Sequence, residues 1–320
     1  MILVAGSANL DFVVRAPHIP APGETVLGSS FSTFAGGKGA NQAIASSKAG
    51  GVATRMLLAL GRDSFAEPIE ASLQAAGVAL QVIRPSDLPT GTAFICVSDD
   101  AENAITVAPG ANLALRAEHL PDLNGVEYLL LQLETPLETV TSYAAAARKC
   151  GVKVMLNAAP AQALPSALLA LVDVLVVNVG ELASISHCSG SVADCLNCLP
   201  DVPCIVVTLG GQGCCARVDG QFFLQNAFAV LPVDTTAAGD TFCGVLAASL
   251  AGQMTMPQSL LRASAAAALA CMKHGAQASI PERAEVDSFL AGQSANALAN
   301  VDTAATLAKF IGLDFQTFQA

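Results

Sequence analysis

Between residues 126 and 209, short apolar runs of strand length alternate with longer runs of helical composition. No other feature narrows the fold as far. Val126 to Leu131, Val152 to Leu156, Val174 to Val177 and Ile205 to Leu209 are almost unbroken in their apolar character. Leu137 to Cys150 and Leu164 to Leu171 lie between them and read as helices. A strand without polar alternation is buried on both faces. Strand–helix–strand repetition places such strands in parallel, with helices covering them. The expected fold class is α/β, a mainly parallel central sheet flanked by helices on both faces. Ligands of such sheets bind at the carboxyl ends of the strands. Glu134, Asn157, Asn178 and Thr208 fall at or just after predicted strand ends.

Two segments break the alternation. Residues 12–34 and 91–107 are extended in character, with turn signals such as Pro20-Ala21-Pro22-Gly23. No internal repeat or low-complexity linker separates domains, and 320 residues suffice for a sizeable core. The chain is 53% hydrophobic and only 13% charged, yet no apolar run is long enough to span a bilayer. Met1 leads straight into a predicted strand, with no basic leader, so a soluble cytoplasmic protein is expected. A net charge of −11 argues against nucleic-acid binding. Any polyphosphate must then be neutralised locally, by backbone amides, Mg²⁺ and cations such as Lys38.

Ten cysteines are present, and Cys188, Cys195, Cys198 and Cys204 cluster in sequence. A single C-x-x-C is short of the usual zinc set, although His187 nearby leaves a metal site open. With no secretory signal, free thiols are expected.

Three stretches carry candidate chemistry. In Asp234-Thr235-Thr236-Ala237-Ala238-Gly239-Asp240-Thr241-Phe242, small residues precede an acid and then a long apolar helical segment. Ala238-Gly239-Asp240 would form a helix N-terminus, where unpaired N–H groups and the helix dipole suit a phosphate. Asp240 there is either a helix cap or a base that deprotonates an attacking hydroxyl. The second stretch is Gly36-Gly37-Lys38-Gly39-Ala40-Asn41-Gln42, in which glycines allow close backbone approach and Lys38 and Asn41 offer donors. It is neither a Walker loop nor a complete G-x-G-x-x-G, and a tight strand-to-helix turn remains the competing reading. The third is the strand Ile2 to Gly6 followed by Asn9 and Asp11, which face the same way if the chain stays extended.

These stretches, with Gln132-Leu133-Glu134, Asn157-Ala158-Ala159-Pro160, Asn178-Val179-Gly180-Glu181 and Thr208-Leu209-Gly210-Gly211-Gln212-Gly213 in order between them, resemble the ribokinases of the PfkB family of carbohydrate kinases. The likeness runs from about residue 2 to about residue 290. It implies a ribokinase-like domain over residues 1–291, with a small β lid from about 12–34 and 91–107 that pairs with the lid of a second subunit in a homodimer. It implies ATP-dependent phosphorylation of a small sugar, D-ribose at O5, with Mg²⁺ and an activating monovalent cation such as K⁺.

Residue by residue, the resemblance implies that Asn9, Asp11, Gly37, Lys38, Gly39, Ala40, Asn41 and Glu134 hold the sugar. Asp240 would be the base, and amides around Ala237, Ala238 and Gly239 would form the anion hole. Asn178 would serve the phosphates, and Glu181 the Mg²⁺ through water. Thr208, Leu209, Gly210, Gly211, Gln212 and Gly213 would line the nucleotide site with Ser264, which stands where a bulkier adenine-facing side chain can occur. Asp234, Thr236, Ala270, Lys273, Gly275 and Ser279 would surround the monovalent cation, mostly through carbonyls. The tail 292–320 lies beyond the family's usual end, and Val301 to Ile311 in it reads as an amphipathic helix. Another sugar or nucleoside kinase, such as a deoxyribokinase or fructokinase, is the alternative reading. A silent sugar- or nucleotide-binding protein is disfavoured by the intact Asp240, Gly239 and Glu181. An oxidoreductase is disfavoured by the missing dinucleotide fingerprint.

Overall fold

A computed structural model describes residues 1–100, 102–293 and 301–313. One sheet forms the centre. It comprises β1 (Ile2–Ala5), β4 (Thr54–Ala59), β5 (Ala79–Ile83), β8 (Tyr128–Leu131), β9 (Lys153–Asn157), β10 (Val174–Asn178), β11 (Cys204–Thr208), β12 (Gly213–Val218) and β13 (Gln221–Asn226). Their order is β13-β12-β11-β10-β9-β8-β1-β4-β5. Pairing is parallel from β11 through to β5, and the antiparallel pairs are those of β12, with β11 on one side and the edge strand β13 on the other.

The unbroken apolar character of the strands has a direct consequence. Successive side chains point to opposite faces, so Ile2 and Val4 of β1 enter one core while Leu3 and Ala5 enter another. Tyr128 and Leu130 of β8 divide from Leu129 and Leu131 in the same way. The first core is closed by α1 (Lys38–Ile44), α2 (Ala66–Ala75), α7 (Ala238–Ala251), α8 (Met256–Cys271) and α9 (Arg283–Ala291). The second is closed by α3 (Leu137–Lys149), α4 (Ser166–Leu169), α5 (Val179–Ser186) and α6 (Val192–Asn197). The helix expected over Leu164 to Leu171 is the short α4, whose start is set by Pro165.

The two irregular segments form a second sheet, in the order β3-β2-β6-β7, from β2 (Asn9–Ala16), β3 (Ser30–Gly36), β6 (Gly91–Ser98) and β7 (Asn103–Ala108). It begins three residues before position 12, because Asn9, Leu10 and Asp11 already pair with Gly36, Ala35 and Phe34. Strand β1 lies where the chain turns in both directions, towards β4 on one side and β8 on the other. That switch point is where the fold leaves a crevice beyond the strand ends.

The C-terminal helix Val301–Ile311 exists as expected. It buries Leu307, Ala308 and Ile311, and Leu307 and Ile311 join the second core. Residues 294–300 and 314–320 of the tail lie outside the described residues. All ten cysteines are free thiols. Among the described residues, no group of three or more His, Cys, Asp or Glu is arranged to hold a metal, and Cys204 lies in the core on β11. No helix among them is long and apolar enough to cross a membrane.

Candidate active site

A cavity of about 170 Å³ opens at the carboxyl ends of β9, β10 and β11. It is lined by Lys38, Asn157, Asn178, Glu181, Thr208, Ala237, Gly239 and Asp240, together with Ala159, Val176, Val177 and Cys243. Helix α7 points its first turn into this space. Ala237, the residue before it, adopts a left-handed conformation (φ 60°). The Ala238 N–H folds back on the Thr235 carbonyl at 3.2 Å, and the Thr241 N–H is bonded to the Ala237 carbonyl at 2.8 Å. The amides of Gly239 and Asp240 lie between these two in the first turn, where a helix leaves its N–H groups without intrahelical partners. A side chain at Gly239 would meet nothing within 4 Å, so the approach to these amides is open.

Asp240 is not the helix cap. It is buried, and both carboxylate oxygens are held by amide side chains from α1: Asn41 Nδ2 donates to Oδ2 and Gln42 Nε2 to Oδ1, each at 2.9 Å. Asn41 Oδ1 is buried without a partner in the described structure, which leaves an acceptor beside the carboxylate. Lys38, at the start of α1, is half-buried. Burial works against its charge, but Asp240, Glu134 and Glu181 outweigh it, and its pKa lies above the ordinary value. Glu181 is displaced upward by burial, against the Asn178 N–H bond and Lys38. Asn178 and Glu181 cap α5 reciprocally, each backbone N–H bonded to the other's side chain at 2.8 Å.

On the other side of Lys38, Glu134 Oε2 accepts from Ser7 Oγ at 2.5 Å and from the Lys38 N–H at 3.2 Å. Asn9 and Asp11 are both buried on β2, two residues apart as the alternation requires. Asn112 Nδ2 donates to Asn9 Oδ1 at 2.8 Å, and its own oxygen accepts from the Ala8 N–H at 3.0 Å. Asp11 faces Gly36 so closely that a Cβ there would sit 2.1 Å from its carboxylate. Gly37 follows at φ 90°, a conformation that delivers the chain into α1. Burial, then the charges of Glu134 and Asp240, push the Asp11 carboxyl up to about 7, with Lys38 opposing.

The remaining expected residues fall in two places. Leu209 to Gly213 form the turn from β11 to β12, and Ser264 on α8 meets Cys214 of β12 at 3.6 Å; of this group only Thr208 lines the cavity. Asp234 accepts from the Thr236 N–H at 2.9 Å and the Gly275 N–H at 3.0 Å, joining the loop before α7 to the loop after α8. These hydrogen bonds lower its pKa against the effect of burial. Ala270 ends α8 buried, and the Ser279 hydroxyl bonds the Ala276 carbonyl. Lys273 turns its ammonium to Glu285 at 2.8 Å.

Sequence reasoning assigned no role to Ser7 or Asn112, nor to Cys243 in the cavity wall. Each is a small or polar residue in an otherwise apolar context, which was the available signal.

A family model for pfkB family carbohydrate kinases matches residues 1–283. A ribokinase of Haemophilus influenzae is 35% identical over 311 residues, spanning 90% of this chain and 98% of its own. A ribokinase of Bacillus subtilis is 36% identical over 90% of this chain and 99% of its own. Among solved structures, the ribokinase of Thermotoga maritima aligns with a TM-score of 0.82 at 34% identity, covering 91% of this chain and 99% of that one. Arabidopsis thaliana ribokinase, complexed with ribose and ATP, aligns with a TM-score of 0.82 at 31% identity, covering 92% and 99%. With these matches along nearly its whole length, the chain belongs to the pfkB family of carbohydrate kinases.

Proposed function

We propose that this protein transfers the γ-phosphoryl group of ATP to O5 of D-ribose, giving ribose 5-phosphate and ADP. The observation that carries this reading is the buried Asp240 carboxylate, held from two sides in the first turn of α7 beside the amides of Gly239 and Asp240. The helix end favours a carboxylate, but a phosphate bound beside it repels that charge, and the pairing makes chemical sense when the carboxylate has a proton to take. Asp240 accepts the proton of the attacking hydroxyl. The two amides and Lys38 meet the charge on the phosphoryl group, so catalysis is chiefly positioning and electrostatics. Asn9, Asp11, Asn41 and Glu134 present the acceptors that hold the sugar hydroxyls. The named relatives are ribokinases, and one was solved with ribose and ATP.

The donor set also suits Mg²⁺. Asp240, Glu181, Glu134 and Asp11 surround one ammonium, Lys38, which leaves a negative excess that a divalent ion escorting the phosphates offsets. Glu181 with Asn178 would hold the water shell of such an ion, which would supply neutralisation of the phosphate charge. A monovalent cation beside Asp234 and Gly275 would brace the loop that delivers the amides of α7. Exchanging K⁺ for a bulky organic cation at equal ionic strength lowers the rate on this reading, and equal rates would exclude it. The second sheet closes over the sugar as a lid, and its exposed apolar face packs on the lid of a second copy.

Asp240→Asn tests the catalytic assignment. It keeps size, and a flip of the Asn41 amide accommodates the new donor. The expected loss in kcat is at least ~10²-fold, with thermal stability nearly unchanged. Near-normal turnover would remove Asp240 from the role.

A further inference from the structure

The Asp240 carboxylate is aimed by a buried chain of amides, and we infer that Gln42 is the positioning residue that sets its orientation for proton transfer. Gln42 Nε2 lies 2.9 Å from Asp240 Oδ1 and 3.0 Å from Asn157 Oδ1. Its Oε1 accepts from Gln132 Nε2 at 2.6 Å. All four side chains are buried. The direction of the chain follows from chemistry. An ionised carboxylate only accepts, so the Gln42 nitrogen must face Asp240. Its oxygen then faces Gln132, which must donate. Each amide has one orientation once Asp240 is charged, so the carboxylate is tied to the ends of β8 and β9 through a side chain that does not line the cavity.

Asn41 Nδ2 holds the other carboxylate oxygen, and its own oxygen is buried without a partner in the described structure. On the proposed function Asn41 also serves the sugar, whereas Gln42 acts only through Asp240. A base displaced by about 1 Å loses on the order of 10²-fold in rate, and one of two hydrogen bonds fixing a carboxylate plane is enough to allow that displacement.

This inference rests on the reading of Asp240 as the base, and the experiment separates the two. Gln42→Leu, Asp240→Asn and the double variant are compared in single-turnover assays with ribose and ATP, alongside thermal unfolding. Gln42→Leu is expected to lower kcat by ~10- to 100-fold, with KM for ATP unchanged. In the Asp240→Asn background the same change is expected to cost less than about 3-fold, because the group it orients is already gone. Gln132→Leu touches Gln42 and not Asp240, and is expected to give a smaller loss in kcat in the same direction. If Gln42→Leu costs the same factor in both backgrounds, or leaves kcat unchanged, the positioning role is overturned. If Asp240→Asn itself turns over normally, the reading of the base fails instead.

Discussion

Asp11 is a buried acid of the site whose carboxyl is pushed towards neutral pH, and the sign of its effect on stability follows. Its carboxyl is pushed up to about 7 by burial and by its acidic neighbours. Between its unfolded value near 4 and this folded value, the native state binds a proton that the unfolded state does not. Stability of the unliganded protein is therefore present at the acid end of that window and declines as pH rises through it. Asp11→Asn removes the penalty. At pH 7.5 it should stabilise the unliganded protein by ~1–3 kcal/mol and flatten the pH dependence between 4 and 7 in thermal unfolding. It should also weaken sugar binding by at least about 10-fold, since the sugar hydroxyls lose an ionised acceptor, with ATP binding little altered. A variant that is less stable than wild type at pH 7.5 would contradict the assignment. Asp11 itself was legible from its spacing to Asn9. Its environment was not, because Glu134 and Asp240, which raise its pKa, lie more than a hundred residues away in the chain.

At the scale of elements, the four-stranded sheet is the part of the fold with an unmet surface. Phe12, Phe31 and Phe94 stack across β3, β2 and β6, with ring centroids 6.1 and 5.3 Å apart. Phe31 is nevertheless 60% exposed and Phe94 54%. Val14 of β2, paired with Phe31 on the same face, is exposed as well. Contiguous apolar faces of this kind are common at interaction surfaces, and on the proposed lid pairing a second copy of the same sheet covers this one in a two-fold assembly. Sedimentation equilibrium should find a dimer, and Phe31→Asp combined with Phe94→Asp should yield monomers with thermal stability largely kept. A monomeric wild-type protein at micromolar concentration would exclude the pairing. The extended segments that build this sheet were readable from alternation and turn residues, although β2 starts earlier than the pattern suggested. Strands β12 and β13 were not readable as such. Gly213-Cys214-Cys215-Ala216 lacks branched residues, and its strand character comes from antiparallel pairing with β11 and β13.

At the scale of the molecule, the alternation of apolar runs was sufficient for the layered α/β architecture, because strands buried on both faces carry their own signature. The site is another matter. Glycine clusters and strand ends marked where ligands would lie, but the bonds that give the site its chemistry join Gln42 to Asn157 and Asp240, 115 and 198 residues apart. No local pattern encodes such pairs; the sheet brings them together by placing α1 and α7 side by side on one face. The tail helix Val301–Ile311 shows the same limit, since its amphipathic pattern was visible and its docking on the second core was not. The whole arrangement converges on one reaction, and the product of that reaction is the most direct check. Purified protein with ATP and Mg²⁺ is assayed for ADP release over ribose, 2-deoxyribose, fructose and nucleosides, and the phosphorylated carbon of each product is identified by NMR. Ribose should give the highest kcat/KM, with phosphate on O5. A higher value for fructose or a nucleoside would contradict the ribose assignment, and no sugar-dependent ADP release at all would contradict the kinase.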